Sequence, residues 1–144
     1  MNVPRVYLDT SILIKRYVTE ENSEKADTYF RFAHRGQAVI YLSEINLGEA
    51  AVVFDKYSRR TGIDARVRFQ TMLSELEALE RSSSVEIYPV NSYLIRKAIK
   101  TVFEYHICIV DAIQIETCIE AHGTAFFSAD VKLSETAKKL GLVL

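Results

Sequence analysis

Two aspartates fall where strand-like runs end. Asp9 follows Val6-Tyr7-Leu8, and Asp130 follows Phe126-Phe127-Ser128-Ala129. Asp is a preferred helix cap, so capping alone accounts for either of them taken singly. Two further acids sit inside apolar helical patterns. Glu49 lies four residues after Ile45 and three and four before Val52 and Val53, which puts it on their face. Asp111 lies four after Ile107, three after Cys108 and four before Ile115, in a helix otherwise rich in Ile, Val and Ala. A lone buried carboxylate costs several kcal/mol unless it is paired, protonated or bound to a cation. Neither inward stripe carries an obvious Arg or Lys partner.

One chemistry accounts for all four. Hard divalent cations such as Mg²⁺ take oxygen ligands, use few protein carboxylates and keep several waters. Two such ions about 3.5–4 Å apart can activate a water and stabilise the leaving oxygen of a phosphodiester. On the residues alone, caps and buried pairs remain the alternative. Other phosphate chemistries lack their residues. There is no G-x-x-x-x-G-K-[ST] loop, and Asp9-Thr10-Ser11 lacks the second Asp of a DxD phosphatase. Neither a G-x-S-x-G elbow nor a G-x-G-x-x-G turn is present. Cys108 and Cys118, ten residues apart on one helix, stand about 15 Å apart, too far for a disulfide. With no CxxC and with His34, His106 and His122 scattered, zinc has no ligand set, and both cysteines are expected in the core.

The elements that must position these acids alternate. Strands are predicted at 5–8, 38–42, 85–90, 124–127 and 142–144, and helices at 12–18, 22–35, 43–57, 64–81, 91–105, 107–121 and 132–140. Alternation of this kind implies an α/β class with a parallel sheet covered on both faces. In such sheets, ligands bind beyond the carboxyl ends of the strands. The 144 residues suit one domain, 1–144. With 18 Lys+Arg against 19 Asp+Glu, a broad basic field for holding nucleic acid is excluded. A nuclease that borrows positive charge from metal ions is not excluded. No run is long and apolar enough for a membrane helix, and the start lacks a secretion signal, so a cytoplasmic address is expected.

Four segments now stand in order: Val6-Tyr7-Leu8-Asp9-Thr10-Ser11, Leu42-Ser43-Glu44-Ile45-Asn46-Leu47-Gly48-Glu49-Ala50, Ile109-Val110-Asp111-Ala112-Ile113-Gln114 and Phe127-Ser128-Ala129-Asp130. In order and spacing the chain resembles a PIN domain, specifically the VapC-type toxins of prokaryotic toxin–antitoxin pairs. The resemblance runs through the closing Ala137-Lys138-Lys139-Leu140-Gly141-Leu142. It implies a three-layer sandwich around a parallel five-stranded sheet, and a Mg²⁺- or Mn²⁺-dependent endoribonuclease. It implies Asp9, Glu49, Asp111 and Asp130 as catalytic and metal-binding acids, with Ser11 and Ser128 as positioning hydroxyls. It also implies a homodimer held inactive by a cognate antitoxin, in a groove that Tyr17, Tyr29, Phe30 and Phe32 could line, although core packing accounts for most aromatics at helical spacing. Lys15, Arg16, Lys56, Arg59 and Arg60 are candidates for guiding an RNA backbone, each also readable as a solvated helix face, while His106, near Asp111, reads as a helix start rather than a general base. Gln114 and Glu116-Thr117 depart from the family's usual His and Ala-Thr, and Glu44 adds a carboxylate. These departures are expected to alter the rim of the site rather than its ligands. The alternative is a catalytically silent PIN fold that binds RNA or protein.

Overall fold

Alternation along the strands decides the architecture in the computed structural model, which describes residues 2–18 and 23–143. The elements begin β1 (Arg5–Leu8), α1 (Thr10–Lys15), α2 (Ser23–His34), β2 (Val39–Ser43) and α3 (Glu44–Thr61). They continue α4 (Arg66–Arg81), β3 (Val85–Tyr88), α5 (Ser92–Tyr105), α6 (Ile109–Glu120), β4 (Ala125–Phe127) and α7 (Val131–Lys139). Val6, Leu8, Ile40, Leu42 and Phe127 face one core, which α1 to α4 cover with Leu13, Phe30, Phe54, Met72 and Leu76. The intervening Tyr7, Tyr41 and Phe126 face a second core, covered from α5, α6 and α7 by Leu94, Ile115 and Leu133. Period-two burial on both faces is what a sheet between two helix layers requires. The class is therefore the α/β three-layer sandwich expected.

The sheet has four parallel strands in the order β3-β2-β1-β4. Val6 pairs with Ile40 on one side and with Ala125 on the other. The chain steps outward from β1 through β2 to β3, then returns to lay β4 on β1's free side. The carboxyl end of β1 is thus a topological switch point, the place where open α/β sheets bind ligands. The expected fifth strand is reduced to a single parallel bridge between Val143 and Ala125. Leu144, and the Asn22 predicted to open the second helix, lie outside the described residues.

Helix ends follow local chemistry. Ser43 caps α3 in a capping box with Asn46, Gly62 ends α3 with φ of 74°, and the Asn91 side chain caps α5 by accepting from Leu94 N–H. His106, expected to begin a helix, instead ends α5 in the left-handed region with φ of 58°. Its carbonyl accepts from Lys132 Nζ at 2.7 Å. Cys118 is buried as expected, but Cys108 is exposed at the start of α6, and both are free thiols. The four aromatics sort mostly as core packing predicts. Phe30 is fully buried, Tyr17 and Tyr29 pack against the first core, and only Phe32 is exposed. Among the described residues, no helix is long and apolar enough to cross a membrane.

Candidate active site

Parallel strands bring their carboxyl ends to one edge, and Asp9 stands at its centre. Its N–H donates to the Phe127 carbonyl at 2.9 Å, which extends the β1–β4 ladder by one residue. Its own carbonyl accepts from Ile12 and Leu13 N–H and so starts α1. Asp9 occupies the cap position, yet its side chain caps nothing. Oδ2 instead accepts from Ser11 Oγ at 2.8 Å and from Ser128 Oγ at 2.7 Å. The same serines accept from Ala129 N–H and Asp130 N–H, tying the turn after β1 to the turn after β4. Asp9 is buried, and among the described residues no cation pairs with it.

Glu49 is half-buried on the wall of a cleft rather than inside the apolar stripe. The buried stripe of α3 is Asn46, Ala50 and Phe54, while Val52 and Val53 are exposed. Beneath Glu49 lies a buried polar chain. Asn46 Oδ1 accepts from the Tyr7 hydroxyl and from Ser43 N–H, and Nδ2 donates to Thr10 Oγ1 at 2.8 Å and Gln114 Oε1 at 2.7 Å. All four hydrogen-bonding positions of the amide are thereby filled. Thr10 Oγ1 then donates to Glu49 Oε1 at 2.8 Å, and Gln114 Nε2 stands 3.5 Å from the same oxygen. Gln114, expected at the rim, is fully buried under the site, and Glu116 is buried against Thr101 at 2.7 Å. Glu44 is exposed and is not among the residues lining the cleft.

Asp111 occupies the first turn of α6, half-buried. Asp130 is exposed and caps α7 by accepting from Leu133 N–H at 2.9 Å. Asp9, Glu49, Asp111 and Asp130 nonetheless line one cleft of about 480 Å³, with Thr10, Ser11 and Lys56. Burial pushes the Glu49 carboxyl above its ordinary range, the Thr10 hydroxyl draws it back, and the charges of Asp9 and Asp111 push it up again. Burial likewise raises Asp111, which Cys108 lowers and Asp9 and Asp130 raise. Such mutual repulsion is relieved by a cation. The donors are all hard oxygens, which suits Mg²⁺ or Mn²⁺. Among the described residues, no three His, Cys, Asp or Glu side chains are already grouped closely enough to hold a metal ion.

The guiding cations sort differently from expectation. Arg16 is bound to Glu75 and Asp27, and Arg59 pairs with Asp55. The Arg60 guanidinium stands 6.0 Å from the Tyr57 ring centre. Lys56 lines the acid cleft, and Lys15 lines the groove beside it.

The family profile described as PIN domain matches residues 6–139. The chain belongs to the PIN domain family. Compared with curated proteins, the sequence matches none. Among solved structures, PAE2754 from Pyrobaculum aerophilum shares 15% identity and a TM-score of 0.66, covering 98% of this chain and 83% of that one. VapC20 from Mycobacterium tuberculosis, a sarcin–ricin-loop-cleaving toxin, shares 19% identity and a TM-score of 0.63, covering 96% of both chains. At these identities the likenesses establish the PIN fold.

Within this PIN chain, sequence patterning passes over Tyr7, Thr10 and Asn46, which lie in the polar chain beneath Glu49, and places Gln114 at the rim instead of within that chain. Asn46 carries a faint signal, a polar residue three before Glu49 on an inward stripe. Thr10 is masked by lying between two more conspicuous side chains.

Proposed function

We propose that this PIN-family chain is a divalent-metal-dependent endoribonuclease, the toxin of a VapBC-type toxin–antitoxin pair. The observation that carries the reading is the convergence of four carboxylates from separate segments on one cleft at the switch point, where, among the described residues, no arginine is paired with them. VapC20, an RNA-cleaving toxin of the same fold, supports the substrate class. Asp9, Glu49, Asp111 and Asp130 would hold Mg²⁺ or Mn²⁺, and Ser11 and Ser128 fix the orientation of Asp9. A bound ion of this kind supplies an activated water and neutralises charge on the leaving oxygen. Hydrolysis adds the elements of water across a P–O3′ bond, leaving a 5′-phosphate and a 3′-hydroxyl. The chain then works as one domain in the cytoplasm, as a homodimer restrained by a cognate antitoxin. The silent PIN reading has one observation in its favour, since Asp130 already spends an oxygen as a helix cap.

Melting with and without Mn²⁺, and cleavage of end-labelled RNA, test the proposal together. Wild type is expected to be stabilised by Mn²⁺ and to cleave, with EDTA abolishing cleavage. Asp111→Asn is expected to lose the Mn²⁺ response and about 100-fold or more of the rate. Absence of any Mn²⁺ response would favour the silent module, and cleavage indifferent to EDTA and to the variant would overturn the assignment.

A further inference from the structure

Beside Ser11 and Ser128 lies a second groove, of about 410 Å³, lined by Ile12, Lys15, Glu24, Lys25, Ser128 and Ala129. It adjoins the acid cleft directly. Ser128 lines the groove, Ser11 lines the cleft, and both donate to the same oxygen of Asp9. The Lys25 ammonium is held 4.5 Å from the centre of the Phe127 ring, which fixes the cation against the end of β4. Tyr29 packs on that ring at 4.6 Å and supports it. Among the described residues, neither Lys15 nor Lys25 is joined to a carboxylate, and Glu24, which also lines the groove, pairs with neither. Among the described residues, the groove thus sets two ammonium groups against one carboxylate, beside a cleft lined by four acids and one lysine. Lys56 also lines that cleft.

An RNA strand meets repulsion at the four carboxylates and attraction at the two lysines beside them. A metal ion can cancel the first, but the phosphates next to the cleavage point need cations of their own. We propose that the Lys15–Lys25 groove binds the RNA phosphates next to the cleavage point, so that the strand passes from the acid cleft, past Ser11 and Ser128, to the two lysines. This rests on the reading of the acid cleft as a ribonuclease site. Arg16, Arg59 and Arg60, occupied elsewhere, are not part of the path.

Counterion release provides the test. A fluorescein-labelled twelve-residue oligouridylate is titrated, by anisotropy, into protein carrying Asp111→Asn to block cleavage, over a series of KCl concentrations. For single strands the slope of log K against log salt changes by about 0.7 for each phosphate contact, so Lys15→Gln with Lys25→Gln should flatten it by about 0.7 to 1.4. Lys100→Gln, an exposed lysine on α5 away from the site, should leave the slope unchanged. Melting of each variant shows that it is folded. A parent that binds with an ordinary salt slope, unchanged by the lysine pair or changed equally by Lys100→Gln, overturns the groove alone. A parent that binds no RNA and shows no Mn²⁺ response in its Asp111 form overturns the ribonuclease reading, and the groove with it.

Discussion

Thr10 carries one proton on its hydroxyl, and the structure spends it on Glu49. The direction of the chain is forced from behind. Ser43 N–H and the Tyr7 hydroxyl both donate to Asn46 Oδ1, so the opposite end of that amide must donate into Thr10, which leaves Thr10 free to donate only onward. Glu49 is therefore met by a donor, which favours its charged form against the burial that raises its pKa. Thr10→Val removes that donor and leaves Asn46 Nδ2 short of an acceptor, at a cost of about 1–3 kcal/mol. It also raises Glu49 further, and because a metal competes with the proton, Mn²⁺ stabilisation weakens first on the acid side. Thermal melts at pH 6 and pH 8 should show a Mn²⁺ shift reduced most at pH 6 in Thr10→Val and largely kept in Thr10→Ser. An equal shift in Thr10→Val and wild type at both values would mean that the chain merely fills space. The four acids were legible because strand ends and apolar stripes make a carboxylate conspicuous. The chain beneath them was not. Asn46 and Gln114 lie 68 residues apart, and two amides at that separation leave no periodic trace.

At the scale of elements, α1, α2 and α4 are clasped by one carboxylate. Glu75 accepts from Arg16 Nε and NH2, each at 2.6 Å, from the Tyr17 hydroxyl at 2.6 Å and from His34 Nε2 at 2.7 Å. Arg16 reaches on to Asp27 at 2.9 Å and lies 4.5 Å from the Phe30 ring centre. Burial alone would raise Glu75, but the hydrogen bonds from Arg16, Tyr17 and His34 outweigh it and hold the carboxyl at about 2. A depressed carboxyl stabilises the fold above its unfolded value of about 4.3 and loses that contribution as the pH falls towards the folded value. Glu75→Gln should thus cost about 1–3 kcal/mol at pH 7, the pair being partly screened. Urea titrations at pH 7, 4 and 2.5 should find the gap from wild type already narrowed at pH 4 and down to about a quarter at the lowest value. A gap that is constant with pH would assign the loss to packing instead. The elements themselves were largely readable, since Ser43, Gly62 and Asn91 announce their boundaries chemically. The start of α4 was placed at Asp64, whereas the helix begins at Arg66 after a buried Ala65. His106 misled because a left-handed cap formed by a residue other than glycine has no sequence signature.

For the whole molecule, the sheet divides two cores that bear unequally on the site. The second core contains Tyr7, whose ring stacks on Phe126 with centres 5.2 Å apart and planes within 5°, and whose hydroxyl holds Asn46. The first core includes Leu79 on α4, which is buried but is not part of the polar network. Mn²⁺ at ten times its Kd should add about 1.4 kcal/mol whatever the starting stability, provided the site is undisturbed. Leu79→Ala should cost about 2–5 kcal/mol through lost burial and the cavity left behind. Its Mn²⁺ increment should nevertheless equal that of wild type. Phe126→Leu removes the surface on which Tyr7 lies, so its increment should shrink even though its loss of stability is smaller. Denaturant titrations of the three proteins at fixed free Mn²⁺ separate the two quantities. Increments that fall in proportion to stability, irrespective of face, would show that the sheet transmits packing losses from both cores to the acids alike.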